Sequence, residues 1–118
     1  MITDELKRNS KRNLERTLRD LSSFEAQRRY KTSVPFVHVP IELLQQWTGH
    51  MRMLRDADWY RALYSPAERA AFAKLDDAIE LHAARFSAVD VPEIFQDEAW
   101  LLVSNLAQET LDSIRRRT

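Results

Sequence analysis

The chain has 118 residues, a hydrophobic content of 44% and equal numbers of basic and acidic side chains, and this length predicts one helical domain, residues 1–118, with one core. The absence of cysteine excludes disulfide frameworks, thiol catalysis and cysteine-ligated zinc, and it fits the reducing cytoplasm. The apolar runs are too short to span a bilayer, no signal-peptide pattern opens the chain, and a single glycine favours helices over hairpins and phosphate loops.

The first periodic segment predicts a basic N-terminal helix over residues 3–31. Thr3 is a suitable N-cap and is followed by two acidic residues, which favour a helix N-terminus. Leu14, Leu18 and Leu21 are spaced so that they form one apolar stripe on this helix. We therefore expect this stripe to pack on the core.

Two prolines and several β-branched or aromatic side chains predict an extended connector over residues 34–40. Its second proline suits the first turn of another helix, whose apolar spacing continues to about Arg55. This helix crosses Gly49, and a kink at the glycine is the alternative to a straight helix. Asp56 or Asp58 is then expected to cap a short helix.

The clearest helix start is residues 65–68, Ser-Pro-Ala-Glu, which combine a capping box with proline at the first helical position. The pattern predicts a helix to about Ser87. Residues 89–92, Val-Asp-Val-Pro, then open a final helix that ends near position 116. Ten residues of these helices are predicted to share one core: Trp47, Met51, Leu54, Phe72, Leu75, Ile79, Trp100, Val103, Leu106 and Ile114.

These segments together predict an all-α, single-domain bundle of about four main helices plus a short helix, with its helical core over about 40–116. The helices are joined by extended Val-x-Val-Pro connectors at residues 37–40 and 89–92. The similarity of these two segments could result from duplication of a helical hairpin or from chance.

No motif for catalysis, cofactor binding or metal binding is visible in the sequence. His38, His50 and His82 lack the Glu-x-x-His and His-Glu-x-x-His spacings of metal sites, and one glycine cannot build a nucleophile elbow or a phosphate loop. We therefore expect no enzyme, no cofactor and no metal. His50 and His82 are predicted to be packed histidines, and His82 to be hydrogen-bonded in the core.

The zero net charge conceals an asymmetry along the chain. Residues 1–31 carry nine basic and five acidic side chains, whereas residues 65–114 carry three basic and ten acidic ones. Either these charges screen one another inside the monomer, or one charged surface is exposed for an oppositely charged partner.

Four arginines are predicted to form a ridge opposite the leucine stripe of the first helix: Arg8, Arg12, Arg16 and Arg19. Such a ridge could contact several phosphates or an acidic strip on a protein. An ordinary solvated helix face is the alternative, since Glu15 can pair with Arg19 and Glu5 with Arg8. Aromatic side chains for stacking on bases are missing from this face, which favours an acidic protein surface, either that of a partner or that of the chain's own C-terminal half.

The resulting hypothesis is a small cytoplasmic helical module that binds a protein partner or itself, as adaptors, chaperones, antitoxins and immunity proteins do. Three large apolar residues outside the helical stripes are further candidates for the contact: Met53, Leu81 and Leu101. The alternative is a nucleic-acid-binding regulatory protein that uses the basic N-terminal helix. No membrane partner is expected.

Overall fold

A computed structural model describes residues 2–115, which fold into six α-helices and one 3-10 helix, with no β-strand among them. The helices are α1 (Asp4–Ser22), α2 (Phe24–Ser33), α3 (Val39–Asp56), α4 (Asp58–Arg61), α5 (Pro66–Phe86) and α6 (Glu98–Arg115), and the 3-10 helix spans Glu93–Gln96. The predicted all-α bundle is confirmed. None of the described helices is long and apolar enough to cross a membrane.

The segment predicted as one helix over residues 3–31 is instead two helices, separated at Ser23. Thr3 caps α1 as predicted, since its hydroxyl accepts a hydrogen bond from the backbone N–H of Leu6 at 3.1 Å. Ser23 has extended backbone angles, and its hydroxyl accepts from the N–H of Ala26 at 3.0 Å. Ser23 therefore begins a new helix where the periodicity alone predicted continuation.

Gln27 supplies the physical reason for this break. Its buried side-chain amide donates to the backbone carbonyls of Asp20 at 2.9 Å and Leu21 at 3.2 Å, at the end of α1 where carbonyls lack helical partners. Its Oε1 accepts from the indole N–H of Trp100 at 3.1 Å. Trp100, which lies 73 residues after Gln27 in the sequence, thus stabilises the break through this hydrogen bond.

The helix predicted to cross Gly49 does so, and α3 is continuous from Val39 to Asp56. It begins one residue earlier than expected, because His38 acts as its N-cap. The Nδ1 atom of His38 accepts a hydrogen bond from the N–H of Ile41 at 3.2 Å. The start of α3 therefore depends on a histidine cap that the sequence pattern did not suggest.

The segments predicted to be extended, residues 34–40 and 89–92, contain turns instead. In the first, the N–H of Val37 donates to the carbonyl of Val34 at 3.2 Å, with Pro35 at the position of the turn that favours proline. This turn precedes the Val-x-Val-Pro motif, whose Val39 and Pro40 already belong to α3. In the second, Pro92 follows a cis peptide bond with Val91 and precedes the 3-10 helix. Because the two motifs fold differently, the structure gives no support to a duplicated hairpin.

The capping box of α5 is confirmed in full. The N–H of Glu68 donates to the Ser65 hydroxyl at 3.1 Å, and the N–H of Ser65 donates to the Glu68 carboxylate at 2.7 Å. The helix ends at Phe86, one residue before the predicted boundary. This start is predictable because all of its determinants lie within four residues.

Two other helix starts differ from the prediction. The short helix α4 is capped by Ala57 without a side-chain hydrogen bond, because Asp58 lies inside the helix and forms an ion pair with Arg61. The final helix begins at Glu98 rather than within residues 89–92, since the 3-10 helix comes between them.

The core lies between α1, α3, α5 and α6, and α6 packs most extensively against α1 and α5. Met51 and Leu54 are only half-buried, because they pack at the edge of the core. The other eight predicted core residues are buried: Trp47, Phe72, Leu75, Ile79, Trp100, Val103, Leu106 and Ile114. Perpendicular ring pairs link these helices, with Phe86 and Trp100 centroids 5.0 Å apart.

Asp90 joins the two connectors in space. Its Oδ1 accepts hydrogen bonds from the N–H groups of Val39 at 3.2 Å and Val91 at 2.7 Å, and its Oδ2 lies 2.6 Å from Lys31 Nζ. The same ammonium donates to the carbonyl of Val37 at 2.7 Å. One carboxylate therefore fixes the start of α3 relative to the segment before α6.

Candidate functional site

The four arginines of the predicted ridge are all exposed on the face of α1 that points away from its buried leucines: Arg8, Arg12, Arg16 and Arg19. Arg12 donates to Asn9 Oδ1 at 3.5 Å, and Arg16 donates to Asn13 Oδ1 at 2.9 Å. These bonds orient the guanidinium groups along the helix without neutralising them.

The structure divides this ridge into two halves. Arg16 and Arg19 line a groove of about 440 Å³ where the end of α1 meets α2 and the last turns of α6, whereas Arg8 and Arg12 lie outside it. We call this the arginine groove, and its full lining is Arg16, Arg19, Asp20, Ser22, Ser23, Ala26, Arg29, Gln108, Leu111 and Arg115. Residues far apart in the sequence thus bring four arginines to one depression.

Asp20 is the carboxylate among the lining residues of the arginine groove. Burial raises the pKa of Asp20, and the positive charges of Arg16, Arg19 and Arg29 oppose that rise. Arg29 also lies 3.6 Å from Glu25, but both side chains are largely exposed and such a pair contributes little. Arg16, Arg19 and Arg29 therefore outnumber the carboxylate that lines the groove.

The ion pairs expected for an ordinary solvated ridge do not form. Among residues 2–115, no ion pair joins Glu15 to Arg19 or Glu5 to Arg8. Lys31 of the N-terminal segment forms an ion pair with Asp90 of the acidic 65–114 segment. The packing of α1 against α6 therefore joins their apolar faces and leaves the ridge arginines outward.

Models of known protein families, curated proteins and solved structures give no match to this chain. The function must therefore be inferred from the geometry and charge of its surfaces.

The three predicted apolar contact residues are exposed as expected, but the structure does not place them in the arginine groove. Met53 is 38% exposed, Leu101 47% and Leu81 77%. They lie on α3, α6 and α5 respectively. Phe36 is the most exposed large apolar residue of residues 2–115, at 88% in the turn before α3, and no periodic pattern in the sequence marks it.

The arginine groove contains residues that the sequence analysis did not select, above all Arg29, Gln108 and Arg115. The positive charge of α2 was visible in the sequence, but its approach to the end of α6 was not. The serine pair at positions 22 and 23 is a local signal for a helix break, because serine is a favoured N-cap. Read in this way, the pair predicts a separate second helix, which in the structure is the α2 helix that lines the groove.

His50 belongs to a polar cluster between α1 and α3. Its Nε2 lies 3.0 Å from the Thr17 hydroxyl, and its Nδ1 lies 3.3 Å from the Tyr60 hydroxyl. Burial raises the pKa of Tyr60 to about 12, so this phenol keeps its proton and can donate to Nδ1. The predicted packed histidine is thus held by two hydroxyl groups.

His82 differs from its predicted role as a hydrogen-bonded core histidine. It is half-buried beside Phe86, with ring centroids 6.1 Å apart, and it makes no hydrogen bond to the described residues. Its position at the edge of the apolar stripe lets water solvate the ring. Across residues 2–115, no group of three or more histidine and carboxylate side chains could hold a metal ion.

His50 should make the stability of the fold depend on pH. Burial, and then the nearby charge of Arg16, lower the pKa of His50 below its ordinary value of 6.5. Between the lowered pKa and 6.5 the unfolded chain binds more protons, so the free energy of unfolding should fall as pH falls below 6.5. One such group gives a slope of at most about 1.4 kcal/mol per pH unit.

Denaturant unfolding across this pH range would measure the effect in the native protein and in the His50→Gln variant. We expect the variant to lose this part of the slope, while a matched His82→Gln variant keeps it. An identical pH profile for the native protein and His50→Gln would contradict the assignment.

Proposed function

We propose that this chain is a small cytoplasmic helical module that binds a protein partner by receiving an acidic segment of it in the arginine groove. The observation that carries this proposal is the convergence of Arg16, Arg19 and Arg29 around one groove with a single lining carboxylate, Asp20. Guanidinium groups bind carboxylates through paired hydrogen bonds, so three of them could hold successive acidic side chains.

The other groove residues suit a peptide. Ser22 and Gln108 supply polar side chains beside the arginines, and the nearly buried Leu111 forms an apolar floor beneath them. Together they offer the mixture of charge, hydrogen bonding and apolar contact that protein interfaces use. Because the groove is basic, encounter with an acidic partner would also be accelerated by long-range attraction.

The alternative partner is a nucleic acid, since arginines also bind phosphates. The lining of the arginine groove contains no aromatic side chain on which an unpaired base could stack. The groove is also a local depression that includes only Arg16 and Arg19 of the ridge. A protein that binds a duplex backbone would instead be expected to contact it with arginines along the whole ridge. These features favour the acidic protein segment.

Two double variants with the same change in charge test this proposal. Arg19→Glu combined with Arg29→Glu reverses the groove, and Arg8→Glu combined with Arg12→Glu reverses the part of the ridge outside it. All four side chains are exposed, so both variants should keep the native melting temperature. Each variant and the native protein would be used as bait in extract of the source cells, both with and without nuclease treatment.

We expect a protein that co-purifies with the native chain to be lost from the groove variant and retained by the ridge variant. Direct titration of that purified protein should then show a loss of affinity of about tenfold or more for the groove variant only. Equal losses in both variants would show a diffuse charge effect and contradict the proposed site. Capture that disappears on nuclease treatment would favour the nucleic-acid alternative.

A further inference from the structure

A second depression lies on the other side of α1, between α1 and α3. It has a volume of about 370 Å³, and we call it the α1–α3 cleft. Its lining residues are Ser10, Asn13, Arg16, Thr17, Gln46, Gly49, His50, Met53 and Tyr60. The set contains a guanidinium, two amides and three hydroxyl groups but no carboxylate, so its electrostatic character favours an anion.

The amide groups of the cleft are oriented with their donors available. Arg16 donates to the oxygen of the Asn13 amide at 2.9 Å, and the hydroxyl of Thr17 lies 3.4 Å from the oxygen of the Gln46 amide. The Asn13 oxygen is therefore occupied, while the single Thr17 proton can go either to the Gln46 oxygen or to the backbone carbonyl of Asn13. The NH₂ groups of Asn13 and Gln46 make no hydrogen bond to the described residues. Two amide donors and one guanidinium remain to bind an incoming oxyanion.

The wall of the cleft is held rigid by the polar cluster of Thr17, His50 and Tyr60. Thr17 is 2% exposed, and its hydroxyl lies 3.2 Å from the backbone carbonyl of Asn13 as well as 3.0 Å from His50 Nε2. One arrangement of protons is consistent with all of these contacts. The Tyr60 hydroxyl donates to His50 Nδ1, and the N–H at His50 Nε2 donates to the Thr17 hydroxyl oxygen. The cluster satisfies its own hydrogen bonds and leaves the remaining donors to a ligand.

Part of the cleft lining is less polar. A Cβ atom added at Gly49 would meet no atom within 4 Å, so packing does not require this glycine and α3 leaves open space beside it. Met53, which is 38% exposed, lines the cleft with its thioether, and the nearly buried Tyr60 adds the edge of its ring. A ligand could therefore place an apolar group against Met53.

We propose that the α1–α3 cleft binds a small organic anion, with its head group hydrogen-bonded by Arg16, Asn13 and Gln46 and its apolar part against Met53 and Tyr60. The proposal does not depend on the arginine groove, although Arg16 lies between the two depressions. A carboxylate and a phosphate monoester share the required chemistry, and the two probes below distinguish them.

Asn13→Asp is the decisive variant, because it removes the amide donors and adds a negative charge while it keeps an oxygen for Arg16. Asn9→Asp is its matched control. Asn9 is one helical turn earlier on α1, accepts from Arg12 in the same way, and lies outside the cleft. Both positions are exposed, and thermal melting would confirm that both variants fold.

Benzoate and phenyl phosphate, each titrated into isotope-labelled protein, would be followed by the amide resonances of Gly49, Asn13 and Gln46. We expect saturable shifts with at least one anion and a dissociation constant raised about tenfold or more in Asn13→Asp, but less than about twofold in Asn9→Asp. Tighter binding of one probe identifies the preferred head group.

Gln46→Glu tests the same proposal from α3, at another exposed position. Because it replaces an amide donor with a negative charge, it should also weaken binding of the anion. Three results would overturn the proposal: no saturable shift at millimolar concentrations of either probe, equal weakening by the Asn9 and Asn13 variants, or equal binding of the uncharged probe benzyl alcohol.

Discussion

Leu75→Ala is expected to lower the free energy of unfolding by about 2–5 kcal/mol, the range for removing a large buried aliphatic side chain. Leu75 is completely buried on α5 within the core that α5 shares with α3 and α6. Leucine and alanine have similar helix propensities, so the loss would come from lost packing and the remaining cavity. For a domain of ordinary stability this is a large fraction of the total.

Leu81→Ala is the matched control on the same helix. Leu81 is 77% exposed, so the same chemical change should alter stability by less than about 0.5 kcal/mol. Denaturant unfolding of both variants at one temperature would give the comparison. Similar stabilities for the two variants would show that the inward face of α5 has been assigned wrongly.

Asp90→Ala is expected to lower the free energy of unfolding by about 1–3 kcal/mol, because two backbone N–H groups and an ammonium lose their acceptor. Asp90 and Lys31 are each about a quarter to a third exposed, so water would replace part of the interaction. Asp77, which is exposed on α5, provides the control, and Asp77→Ala should change stability by less than about 0.5 kcal/mol.

The effect of Asp90 should also depend on pH. Burial raises the pKa of Asp90, but hydrogen bonds from Lys31 and from the N–H groups of Val91 and Val39 outweigh it, so the pKa lies below its ordinary value of 3.8. The contribution is thus fully present above 3.8 and is lost as pH falls through the lowered pKa. The stability difference between native protein and Asp90→Ala should therefore narrow in acid, and a constant difference would contradict an ionic role.

The two depressions are placed so that one side chain could influence both. Arg16 lines the arginine groove and the α1–α3 cleft, and it also lowers the pKa of His50. The variants that test the two proposals leave Arg16 unchanged. Each set of variants therefore tests its own depression, and a negative result for one depression does not contradict the proposal for the other.

The arginine groove and the α1–α3 cleft required the tertiary structure. The groove exists because the helix breaks at Ser23 and α2 turns towards α6, and that break is stabilised by Gln27 through Trp100. The cleft exists because Thr17 on α1 lies beside His50, 33 residues later. Neither contact leaves a periodic trace in the sequence.

The sequence by itself determined the helical class, the inward faces of α3, α5 and α6, and the start of α5 at Ser65. These features follow from side chains within one or two helical turns of each other, where spacing and capping act directly. Ser22 and Ser23 are a local hint of a break in the first helix, but only the tertiary structure decided that the helix breaks there, how the connectors turn and which arginines share a groove. Those outcomes depend on hydrogen bonds and packing between distant segments, and local propensity does not encode such partners.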